Sequence, residues 1–252
     1  MVQKVRFSVV IPARMASTRL PGKMLADLHG RPLIAHVVDR ASESDAARII
    51  VATDNRDIAA AVADSACETV MTSVDHASGS DRLAEVAQKL RFAENEIVVN
   101  VQGDEPLVPA RLINETAAAL SHASDPQTVV ATAAKKIDDI SLLQDPNTVK
   151  VVVNRFGSAL YFSRAGIPFA RNERTADAWH HIGIYAYRAH FLSTFATLEQ
   201  SALETCESLE QLRILDHGYK IQVLCFDYDA GFGIDTQADL DRARELLGQR
   251  AP

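Results

Sequence analysis

Val5-Arg6-Phe7-Ser8-Val9-Val10-Ile11-Pro12-Ala13-Arg14 is the stretch from which the rest of the chain can be read. Val5 to Pro12 is a short apolar run of β-branched and aromatic residues, too hydrophobic for a strand with one wet face. It reads as a buried strand. Arg14 at its end and the loop that leaves it, Met15-Ala16-Ser17-Thr18-Arg19-Leu20-Pro21-Gly22-Lys23, place three cations, Arg14, Arg19 and Lys23, within ten residues. In an open α/β sheet, ligands bind outside the carboxyl ends of the strands, where this loop falls. Arginine offers planar paired donors and lysine a point charge, so such a loop suits a polyphosphate. The spacing of a Walker loop is absent, and so is the Gly-x-Gly-x-x-Gly dinucleotide fingerprint.

Outward from this strand, short apolar runs alternate with helical patterns. Pro32 to Ser42 reads as a helix with proline at its first position, and Arg48 to Thr53 as a strand. Asp54 or Asn55 caps a helix through Ala63. Glu68 to Thr72 is a third strand, Asp81 to Leu90 a helix, Glu96 to Val101 a strand and Pro109 to Ser121 a helix. This alternation predicts a mostly parallel sheet covered on both faces. After Ser124 the pattern turns to strands with little helix between them: Thr128 to Ala134, Thr148 to Val153, Ala159 to Phe162 and His181 to Tyr187. That region reads as a smaller antiparallel extension, with irregular loops at Asp138 to Asn147 and Phe169 to Ala178. Helices at Ala189 to Leu198 and Leu203 to Asp216, a strand at Lys220 to Phe226 and a helix at Thr236 to Leu247 complete the chain. The fold class is α/β, one domain of 252 residues with no repeat or linker.

Composition narrows the function. The formal net charge is -7, which disfavours general binding to nucleic acid or an anionic membrane. No apolar run is long enough to span a bilayer, and the N-terminus lacks the pattern of a secretory signal. Cys67, Cys206 and Cys225 have no zinc-like spacing and read as ordinary thiols in a reducing, cytoplasmic setting.

Two acidic positions complete the candidate site. Asn100-Val101-Gln102-Gly103-Asp104-Glu105-Pro106 places a carboxylate pair just past the most β-branched strand, where a hard cation such as magnesium is often held; read in isolation, the pair equally suits an acidic turn before proline. Gly231-Phe232-Gly233-Ile234-Asp235-Thr236 places Asp235 after two glycines; read in isolation, Asp235 or Thr236 simply caps the following helix.

Taken in order, the Arg14 to Lys23 loop, Asn100 to Pro106, Tyr161-Phe162-Ser163-Arg164, His181-Ile182-Gly183-Ile184-Tyr185, Leu209-Glu210-Gln211-Leu212-Arg213 and Gly233 to Thr236 resemble the CMP-Kdo synthetase family over nearly the whole chain. The resemblance implies a Rossmann-like fold of the nucleotide-diphospho-sugar transferase type. It also implies transfer of CMP from CTP to the anomeric hydroxyl of 3-deoxy-manno-octulosonate (Kdo), which activates Kdo for lipopolysaccharide synthesis. By the same resemblance, Ala13, Arg14, Ser17, Arg19, Lys23, Ser78 and Gly79 bind CTP. Arg14, Lys23, Asp104 and Asp235 are the catalytic set, and Asp104 and Asp235 hold Mg2+. Gln102, Arg164, His181, Tyr185, Glu210 and Gln211 line the sugar site. Residues 1–125 and 219–252 would form the nucleotide-binding core, and 126–218 the sugar-binding and dimer-forming region of a homodimer. The chain departs from the family pattern at Met15, Met24 and His180.

Three rivals are weaker. A CMP-sialic acid synthetase typically carries a Gly-Gly-Ser-Lys run in its first loop, which this loop lacks. A metal-dependent glycosyltransferase wants Asp-x-Asp where Gln102-Gly103-Asp104 stands. A non-catalytic nucleotide sensor has no need to keep Arg14, Lys23, Asp104 and Asp235 together.

Overall fold

The structure, a computed structural model, describes residues 5–17, 19–76, 78–172 and 177–248. Thr18, Ala77 and positions 173–176 of the loops read above lie outside the described residues. The elements run in chain order β1 (Phe7–Ala13), β2 (Asp27–Leu28), β3 (Arg31–Pro32), α1 (Leu33–Ser42), β4 (Arg48–Thr53), α2 (Arg56–Ala61), β5 (Glu68–Met71), α3 (Gly79–Lys89), β6 (Ile97–Asn100) and α4 (Ala110–Ser121). They continue as β7 (Thr128–Lys136), α5 (Ile140–Gln144), β8 (Lys150–Val153), β9 (Ala159–Ser163), β10 (Trp179–Arg188), α6 (Ala189–Phe195), α7 (Ala202–Glu207), α8 (Gln211–Asp216), β11 (Lys220–Phe226) and α9 (Gln237–Gly248).

The main sheet runs β11-β7-β10-β6-β1-β4-β5. Strands β5, β4, β1 and β6 are mutually parallel. β1 lies at their centre because its Val9, Val10 and Ile11 are fully buried and demand cover on both faces. One face is closed by α1, α4 and α9, the other by α3, α6 and α8. The chain goes from β1 outward to β4 and β5, then returns to β6 on the other side. The carboxyl ends of β1 and β6 therefore flank the point where strand order reverses, the position at which open α/β sheets bind ligands. β10 runs antiparallel to both β6 and β7, β8 and β9 extend it, and β11 runs parallel to β7 at the far edge. This is the expected α/β sheet with its antiparallel extension.

Local chemistry sets the ends of the elements that matter. Asn55 Oδ1 accepts from the amides of Asp57 and Ile58 and so starts α2, as expected. Pro32 is the residue before α1 rather than its first residue. Two expectations are corrected. The loop at 138–147 contains α5, which Asp139 begins by accepting from the Ser141 amide. The single helix read over Leu203 to Asp216 is two, α7 and α8, broken where Ser208 takes the left-handed conformation at φ 53.

Candidate active site

A cavity of about 780 Å3 opens at the carboxyl ends of β1 and β6. Pro12, Ala13 and Arg14 enter it from β1, and Ala16, Ser17, Arg19, Lys23 and Met24 from the loop that follows. Gln102, Gly103 and Asp104 come from the end of β6, and Asp235 from the segment before α9. His76, Ser78, Gly79 and Arg82 close it from the start of α3.

Lys23 is the centre of this arrangement. Only 8% exposed, its Nζ donates to Asp104 Oδ2 at 2.5 Å, to Asp235 Oδ1 at 2.9 Å and to the Ile234 carbonyl at 3.2 Å. Arg19 meets the other oxygen of Asp235 at 2.9 Å. Burial alone would lower the Lys23 ammonium; its hydrogen bonds and charge contacts with Asp104 and Asp235 outweigh burial and raise it above the ordinary lysine range. Next to them, burial and the charges of Asp104 and Asp235 push the Glu105 carboxyl up to about 8. The two aspartates, 131 positions apart in the sequence, are joined at the backbone too, since the Ile234 amide donates to the Asp104 carbonyl at 2.8 Å.

Glycine is required where these segments meet. A Cβ on Gly103 would stand 2.8 Å from the Pro12 carbonyl oxygen, so only glycine lets β6 end this close to β1. Gly231 has φ 73, and a Cβ there would meet the Leu107 carbonyl at 2.5 Å.

Ser78 begins α3 through a capping box: its hydroxyl accepts from the Asp81 amide, and the Asp81 carboxylate accepts from the Ser78 amide. The capped helix end thus faces the cavity. Arg82, four residues into α3, is 3% exposed. It is fixed by Asp54 Oδ2 at 2.7 Å and by the Thr72 hydroxyl. His76 pairs with Glu85 at 2.5 Å.

Every expected CTP-side and metal-side residue therefore falls in one cavity. On the expected sugar side only Gln102 lines it, donating to the Gly183 carbonyl at 3.4 Å. Tyr185 lies beneath, stacked on Tyr187 with ring centres 5.8 Å apart. His181 is buried against Phe162 and pairs with the Thr132 hydroxyl at 3.0 Å. Burial and the nearby His180 push it down to about 3, so it is neutral in this setting. Glu210 accepts from the Ser80 hydroxyl at 3.0 Å, and burial raises its carboxyl. Gln211 is buried with Nε2 unpaired among the described residues. Arg164 donates through Nε to the Glu207 carbonyl at 2.8 Å and through Nη1 to the Pro146 carbonyl at 3.0 Å.

Pro12 and Met24 line the cavity without having been assigned to it, and so do His76 and Arg82, the ends of the stretch 76–82 that resembles the family's base pocket, in which only Ser78 and Gly79 were given roles. Arg82 had a usable signal. It sits among Leu83, Ala84 and Val86 on the inward face of a helix, and an arginine on an apolar face needs an acid partner. That partner, Asp54, is 28 positions away, so helix spacing alone does not reveal it.

A covered sheet with a strand-order reversal, a cationic loop after the first strand and two aspartates meeting at its lysine define an α/β nucleotide-binding protein. The chain belongs to the cytidylyltransferase family, whose model, described as "Cytidylyltransferase", matches residues 8–221. It is 51% identical over 251 residues to a 3-deoxy-manno-octulosonate cytidylyltransferase of Idiomarina loihiensis, covering 96% of this chain and 98% of the relative. It is 49% identical over 246 residues to the protein of the same name from Polynucleobacter necessarius, covering 96% of each. A solved CMP:2-keto-3-deoxy-manno-octonic acid synthetase, complexed with CTP, superposes with a TM-score of 0.90 at 41% identity, over 97% of this chain and all of that one.

Proposed function

We propose that the protein transfers CMP from CTP to the anomeric hydroxyl of Kdo, releasing pyrophosphate. The observation that carries this reading is Lys23 clamped between Asp104 and Asp235 in the floor of the cavity. Relatives of the same name at about half identity over nearly the full chain support the choice of substrates.

In the proposed reaction the hydroxyl oxygen forms a bond to the α-phosphorus of CTP, the bond from that phosphorus to the oxygen bridging to the β-phosphorus breaks, pyrophosphate leaves with that oxygen, and the hydroxyl proton passes to solvent. Catalysis of this kind rests on positioning and charge neutralisation. Arg14, Arg19 and Lys23 receive the triphosphate, and Ser78 and Gly79 at the start of α3 receive the base. The acceptor approaches from the Gln102–Gly183 side, and Tyr185, Glu210 and Arg164 are assigned to its recognition.

Asp104 and Asp235 present hard carboxylate oxygens, already gathered on one ammonium, and this donor set fits magnesium. Both would hold the ion. When bound it would neutralise phosphate charge.

The exposed Phe156, Leu160 and Phe169 support self-association through residues 126–218, as a homodimer. Residues 1–125 and 219–252 would serve mainly the nucleotide. Among the described residues no helix is long and apolar enough to cross a membrane. A cytoplasmic setting, with free thiols at Cys67, Cys206 and Cys225, completes the proposal.

The test is pyrophosphate release from CTP with Kdo and, separately, with sialic acid, each with magnesium added and withheld. Release with Kdo and magnesium alone is expected. Release with sialic acid but not Kdo overturns the substrate assignment, and undiminished release in chelator overturns the metal.

A further inference from the structure

One buried atom at the edge of this site has no bond to make. Asn100 is 3% exposed, and its side-chain Oδ1 has no hydrogen-bond partner among the described residues. Buried polar atoms are nearly always paired, and one left unpaired is costly.

Its position says what the missing partner is. Side chains two apart on a strand share a face. Gln102, two residues beyond Asn100, lines the cavity. The residue opposite Asn100 on β1 is Val10, two before the cavity-lining Pro12. Opposite it on β10 is Tyr185, two beyond the cavity-lining Gly183. Asn100 therefore sits one step beneath the cavity wall along β1, β6 and β10. A second buried atom, Gln211 Nε2, is also unpaired. It neighbours Glu210, whose carboxylate reaches Ser80 at the start of α3. One orphan accepts and the other donates, and a hydroxyl can pair with either.

We propose that Asn100 is a specificity-determining residue for the acceptor, its Oδ1 taking a hydrogen bond from a hydroxyl of the bound sugar acid. This rests on the reading that Kdo enters on the Gln102–Gly183 side. A site that pairs a substrate hydroxyl discriminates strongly against an analogue lacking it, because the protein atom is then stranded.

The experiment compares wild type with Asn100→Leu in pyrophosphate release, varying Kdo and CTP separately, and records thermal unfolding without substrates. KM for Kdo should rise about tenfold or more while KM for CTP stays within about twofold. The substrate-free Tm should hold or rise, because leucine removes an unpaired polar atom. A Kdo analogue lacking the paired hydroxyl should be penalised by wild type and not by the variant. If Asn100→Leu does not fold, Asn100→Ala is read through its two KM values alone, since truncation at a buried site lowers Tm by itself. An unchanged KM for Kdo overturns the proposal. So does a lowered Tm with both KM values moved alike, which would assign Oδ1 to a buried structural water. Wild type that releases no pyrophosphate with Kdo brings down the functional reading first, and this proposal with it.

Discussion

Replacing Lys23 by methionine removes one ammonium and keeps most of the side chain's length, leaving Asp104 and Asp235 facing each other beside Glu105. Breaking a buried pair by removing one partner costs about 3–5 kcal/mol, but this pair is only partly dry. The side chain of Lys23 is 10% exposed, that of Asp104 26% and that of Asp235 43%. The Asp235 contact is therefore discounted to about 1 kcal/mol or less, and the Asp104 contact contributes about 2 kcal/mol. A loss near 3 kcal/mol lowers the Tm of a chain this size by roughly 6–12 °C. On activity, removing one preorganised charge that meets the transition state costs about 100- to 1,000-fold in kcat. Differential scanning calorimetry and pyrophosphate release read the two effects separately. Magnesium should raise the variant's Tm more than the wild type's, because a cation then replaces the lost charge between the carboxylates. A Tm unchanged from wild type, with kcat/KM within about threefold, would refute the view that Lys23 organises this site.

The other predictions concern its frame. Gly103→Ala drives a methyl group against the Pro12 carbonyl and, at 3.1 Å, the Met24 sulfur; a loss of about 1–3 kcal/mol in urea unfolding, with lowered kcat, is expected. Arg82→Met strands Asp54, whose side chain is 14% exposed; about 3 kcal/mol should be lost, and adding Asp54→Asn should restore part of it in a double-mutant cycle. His181 is held at about 3 in the folded chain, against an ordinary value of 6.5. Between these values the unfolded chain binds the extra proton and the folded chain does not. The stability His181 allows is full above pH 6.5 and drains away as pH falls toward 3. His181→Gln should flatten the slope of urea stability between pH 6 and 4, and an unaltered slope would show that the imidazole does not titrate in this way.

The fold was legible wherever one physical signal dominated. Arg48 to Thr53 and Lys220 to Phe226 form strands with the bounds their apolar runs indicate. The helix read across Leu203 to Asp216 fails for a non-local reason. Its local pattern is helical throughout, but Arg164, just past β9, takes the Glu207 carbonyl, and the chain turns at Ser208 to restart at Gln211. The β2–β3 hairpin was also hidden, since two-residue strands carry no period; its turn is His29-Gly30, both with positive φ.

The site shows the same division between local and distant causes. The cationic loop after β1 is visible because one buried strand delivers all its charges. Asp235 is a candidate from its two preceding glycines, but locally a plain helix start explains it equally well. Thr236 and Asp239 do form the capping box at α9 that spacing suggests, with the Asp239 amide donating to the Thr236 hydroxyl and the Thr236 amide to the Asp239 carboxylate. The Asp235 amide also donates to Asp239, at 3.1 Å. Its amide thus serves the cap while its carboxylate meets Lys23 and Arg19. Capping fixes the backbone at this point, and the fixed backbone aims the carboxylate at a lysine 212 positions away. The local reading and the functional one describe two ends of the same residue, and the resemblance across ordered motifs is what favoured the second over the first before the fold did.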